Sequence, residues 1–68
     1  MAADVAERAK RRLDMLAAAA SVEDLRVPPS NRLHKVGDRW SISVTMQWRI
    51  TFLWGANSPE EVWFGDYH

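Results

Sequence analysis

RWSISVTMQWRITFLW, residues 39–54, decides how this chain folds. Trp40, Ile42 and Val44 alternate with Arg39, Ser41 and Ser43, and Trp48, Ile50, Phe52 and Trp54 alternate with Arg49, Thr51 and Leu53. A period of two predicts β-strands, each with one face turned to the core. Thr45-Met46 between them makes a poor tight turn, because neither residue adopts positive φ cheaply. Ahead of the pair, Gly37-Asp38 suits a turn from a short strand over 32–36. Behind it, 55–59 reads as a loop and 61–67 as a last strand. The order predicts an antiparallel meander of four strands.

The first third has a different period. In residues 3–20, Val5, Ala6, Ala9, Leu13, Leu16, Ala17 and Ala20 recur at helical spacing and form one apolar stripe. Asp4 with Arg8 and Glu7 with Arg11 stand four apart, acid first, the favourable order for exposed pairs. Ser21-Val22-Glu23-Asp24 has the form of a capping box, so a second short helical turn is expected there. Pro28 and Pro29 then push the chain into extended conformation. The fold class expected is α+β: a helix packed on a small antiparallel sheet, in one domain over residues 1–68.

Size and charge narrow the function. A chain of 68 residues leaves a thin core, and both edges of its sheet need cover. There is no cysteine, and the two histidines lack ligand spacing, so no metal site and no cofactor is expected. No apolar run approaches the roughly 20 residues of a membrane span, which makes the cytoplasm the default compartment. Nine basic residues balance nine acidic ones, which tells against a whole-protein electrostatic grip on nucleic acid. Eight of the nine bases precede Trp40, and Arg49 is the sole base in the aromatic half.

The chain closes on Asp66, Tyr67 and His68: a carboxylate, a phenol and an imidazole. Together with LRVPPSNRLH (25–34), GDR (37–39), WSI (40–42) and QWRITF (47–52), that ending resembles the HigB-type toxins of the RelE superfamily. The resemblance implies a ribosome-dependent messenger RNA endoribonuclease of a type II toxin–antitoxin system. It also implies a cognate HigA-like helix-turn-helix antitoxin as partner, besides the ribosome and the message. Its active-site positions fall on His34, Arg49, Asp66, Tyr67 and His68, with Lys35, Arg39, Arg11 and Arg12 as candidate phosphate contacts. Members of the family have a strand and a helix ahead of the segment that opens this chain. An uncovered sheet edge and helix stripe, and with them a homodimer, are therefore expected.

The chemistry is coherent on its own terms. RNA breaks when its 2′-hydroxyl attacks the adjacent phosphate. That needs a base, cations for the growing charge and an acid for the departing 5′-oxygen. Arg49 suits the cation role, and His68 or His34 suits proton transfer near neutral pH. A rival reading is a non-catalytic remnant that dimerises or binds an antitoxin. A plain RNA-binding module using the sheet's aromatics is a third.

Overall fold

In the computed structural model, residues 3–66 are described. The elements run α1 (Ala3–Ala18), two 3-10 turns (Val22–Arg26 and Pro29–Asn31), then β1 (His34–Val36), β2 (Arg39–Ser43), β3 (Trp48–Trp54) and β4 (Pro59–Asp66). All neighbouring strands are antiparallel, in the order β1-β2-β3-β4. The α+β meander read from the sequence is the fold observed.

Its core sits where the alternation places it. Ile42, Ile50 and Phe52 are 0% exposed, and Ala9, Leu16, Leu25 and Val44 close around them. Trp40, Trp48, Trp54 and Phe64 pack against this cluster from its margin. Trp48 stacks on Phe64 with ring centres 5.3 Å apart, and Phe52 meets Trp54 edge-on at 6.4 Å.

Several boundaries differ from the sequence reading, each for a local reason. The helix stops at Ala18 rather than Ala20. The Asp24 carboxylate accepts hydrogen bonds from the backbone N–H groups of Ala20 and Ser21, at 2.8 and 3.2 Å, which takes both residues out of the helix. After Pro28 the chain is extended as expected, but Pro29 opens a 3-10 turn instead of continuing. Arg32 caps that turn at φ 48°, which delays β1 to His34. The link from β2 to β3 is four residues, not two. Val44 and Thr45 N–H both donate to the Trp48 carbonyl, and the Thr45 hydroxyl accepts from the N–H groups of Gln47 and Trp48. That side-chain turn replaces the positive-φ turn the sequence could not supply. β4 begins at Pro59, two residues earlier than expected, with proline in the first strand position where its missing N–H costs least. The part of the last strand expected at Tyr67 lies outside the described residues.

The helix stripe is divided. Val5, Ala9 and Leu16 face the core, while Leu13 is 41% exposed and Ala6, Ala17 and Ala20 are open to solvent. Glu7 and Arg11 form the expected pair at 3.4 Å, on an exposed face. At the sheet edge all three residues of β1 are exposed. Phe52→Ala should cost about 3–5 kcal/mol, comparable to the whole stability of a domain this small at roughly 0.05–0.15 kcal/mol per residue. Thermal melts should show that variant largely unfolded at 37 °C and Thr45→Ala merely weakened.

Candidate functional site

The register aligns side chains in rows across the sheet. Ser43, Arg49 and Gly65 form one row, and His34, Ser41, Thr51 and Trp63 the next, all on the face opposite Ile50 and Phe52. Arg49 thus lies on a middle strand, half-buried, flanked by Ser43 and Gly65, with its Nε and Nη1 shielded from solvent.

Where β2 leaves the sheet, Arg49 lines a cavity of about 470 Å³ with Arg8, Arg12, Arg32, Ser30 and Thr45 among its walls. Arg8 and Arg12 are one helical turn apart and so share a face of α1. Arg12 is held by its Nε–H, which donates to the Ser43 carbonyl at 3.3 Å. Arg32 is delivered by the left-handed cap of the second 3-10 turn. Among the described residues, no carboxylate lines this cavity. Like charges at i, i+4 cost a helix a few tenths of a kcal/mol, and gathering four of them calls for an anion. Guanidinium groups grip phosphate through paired N–H donors.

The other site candidates are placed as follows. His34 opens β1 on the same sheet face as Arg49, two strands and one row away, about 12 Å between backbones at standard spacings. Its Nδ1 lies 2.8 Å from the Arg32 carbonyl. A carbonyl can only accept, so Nδ1 carries the proton and, in the neutral ring, Nε2 keeps a lone pair. Asp66 ends β4 opposite Trp48, in a row that by alternation belongs to the Ile50 face and not to that of Arg49, and accepts from Gln47 Nε2 at 3.0 Å. Tyr67 and His68 lie outside the described residues.

Of the expected phosphate contacts, Arg12 is in the cleft. Arg11 is not: it points outward to Glu7. Lys35 is directed to the other face of the sheet, its ammonium 5.5 Å from the centre of the Trp40 ring. Arg39 shares the Arg49 face but lies in a second cavity, donating to Thr51 Oγ1 at 3.4 Å and to the Glu61 carbonyl. The sequence reading missed Arg8 and Arg32 as site residues. For Arg8 the signal was its spacing from Arg12; for Arg32 there was none, since its place depends on the 3-10 turn before it. The expected Asp4–Arg8 pair does not form among the described residues, and Arg8 turns to the cleft instead. Away from this region, a hydrogen bond from Arg26 holds the Glu23 carboxyl below its ordinary range.

A helix laid on a four-stranded antiparallel sheet with an arginine-lined cleft defines an α+β fold of the RelE-like kind. A family model described as the RelE-like toxin of type II toxin–antitoxin system HigB matches residues 1–68. The chain belongs to that family, and membership implies an antitoxin partner. No curated protein matches the chain. No helix among the described residues is long and apolar enough to cross a membrane.

If the cleft takes phosphate, inorganic phosphate should raise the melting temperature of the wild type by mass action. The Arg8→Ala/Arg32→Ala double variant should show no such rise. Sodium chloride at matched ionic strength is the control, and equal rises in both proteins would remove the anion site.

Proposed function

We propose that this chain is a ribosome-dependent messenger RNA endoribonuclease, the toxin of a type II toxin–antitoxin pair. The observation that carries the proposal is the gathering of Arg8, Arg12, Arg32 and Arg49 around one cavity in a chain of zero net charge. A protein without an overall positive field can still attract RNA if its cations are concentrated in one concave place.

In the reaction, the ribose 2′-oxygen bonds to the adjacent phosphorus while the bond to the 5′-oxygen of the next nucleotide breaks. The products are a 2′,3′-cyclic phosphate and a free 5′-hydroxyl. A base takes the 2′ proton and an acid supplies one to the departing oxygen, so the balance is closed without a metal ion or water. Arg49 stabilises the charge that builds on the phosphoryl oxygens, where a preorganised donor is worth most. The other three arginines hold neighbouring phosphates in register. His34, through Nε2, and the terminal Asp66, Tyr67 and His68 are the candidates for proton transfer. The cognate partner is a HigA-like antitoxin, and the setting is the cytoplasm.

The test is a translation reaction on a defined message. Arg49→Ala should lose about 10²-fold or more of the cleavage rate, by analogy with removing one oxyanion donor, and His68→Ala should fall comparably. Equal cleavage by all three proteins removes the site, and no cleavage by the wild type removes the activity.

One observation favours a second reading. His34 is bonded to the Arg32 carbonyl and is not a wall of the arginine cleft, while Leu13 and the β1 edge stand exposed. A non-catalytic chain that uses those surfaces to dimerise or to bind antitoxin would fit both. Such a chain would leave the message intact and elute as a dimer in light scattering at high concentration. A nuclease working as a monomer would do neither.

A further inference from the structure

A second cavity, of about 590 Å³, opens on the same sheet face, lined by Arg39, Thr51, Glu61, Val62 and Trp63. Trp63 is 56% exposed, unusual for the largest apolar side chain in a protein short of core. Its position is nonetheless defined. A Cβ on Gly65 would come within 1.9 Å of the end of the indole ring, so the ring lies directly over Gly65. Gly65 is the cross-strand partner of Arg49, and Thr51 that of Trp63. The indole therefore spans from the Thr51 row to the Arg49 row, two residues or about 7 Å along the strand. Arg39 flanks it, and both of its side-chain bonds among the described residues come from Nη2, leaving donors on Nη1 and Nε for a ligand.

The two cavities differ in chemistry. Among the described residues, the first has four guanidinium groups and no aromatic ring. The second has an indole, one guanidinium and the carboxylate-bearing Glu61, whose charge would repel a phosphate. We infer that the second cavity takes an unpaired nucleobase, stacked on Trp63 with its edge toward Arg39. The nucleotide is the one flanking the phosphate held at Arg49. Stacking of this kind tolerates any base, since each has a π-face. The inference rests on the nuclease reading, because it needs an RNA strand lying across Arg49.

The experiment measures binding of fluorescein-labelled 2′-O-methyl hexa-adenylate, which cannot be cleaved, by anisotropy. An abasic spacer with the same number of phosphates is the comparison. Trp63→Ala should bind the adenylate about tenfold or more weakly than wild type and the abasic strand equally well. Trp63→Phe should retain most of the affinity. Gly65→Ala should behave like Trp63→Ala, because its methyl occupies the place of the ring, provided its melt shows a folded chain. Equal adenylate binding by wild type and Trp63→Ala overturns the platform while leaving the nuclease reading intact. So does an equal loss on both strands, which would make the indole structural. So does a Trp63→Ala chain that keeps RNA affinity but loses its antitoxin, which would make the indole a protein contact. A wild type that binds neither strand overturns the platform, while the nuclease reading stands or falls on the translation reaction.

Discussion

Burial of Ile50 and Phe52 on one face of β3 is the constraint from which the remaining geometry follows. Side chains alternate along a regular strand, so two fully buried apolar residues fix the direction of Arg49 and Thr51 between and beside them. The neighbouring strands inherit that parity through Ser43 and Ser41 on one side and Gly65 and Trp63 on the other. A slip of one residue would bury a guanidinium and expose a phenyl ring, a change far beyond the stability of so small a protein. The core thus decides the chemistry of the opposite face.

The cationic cleft is a local departure from a neutral whole. Arginines are brought together there from the helix, the turn before β1 and the middle of the sheet. Arg11 shows the alternative, exposed and paired with Glu7 one helical turn away. Two solutions to the same problem coexist on α1, one that neutralises charge within the chain and one that leaves it for a ligand. Arg12 carries the distinction further, since its bond to the Ser43 carbonyl ties the helix to the end of β2.

The meander, its order and its core were legible in the sequence because they rest on periodicity, which survives folding. Arg49 was legible too, as a lone cation on the polar side of an alternating strand. What escaped the reading depends on backbone detail that periodicity does not encode. Arg32 reaches the cleft only because a 3-10 turn ends in a left-handed residue at that position. Lys35 and His34 are adjacent, so they were bound to point to opposite faces, and only the pairing with Trp40 and Ser41 says which goes where. The helical stripe was read as uniform, yet a cylinder on a flat sheet covers only part of it, leaving Leu13 outside.

One irregularity in β4 has a wider consequence. Between Thr51 and Leu53 the partner strand carries Glu61 and Val62 where one residue would suffice, and Glu61 accepts a left-handed φ of 48° to allow it. The extra residue changes the phase of everything after it, so Trp63 and Gly65 owe their side of the sheet to a count, not to their own identities. Point changes along this stretch leave the phase alone. Shortening it by one residue would send the indole to the far side and put Phe64 in its place. In this family fold the edge strand is therefore open to drift in composition and closed to drift in length.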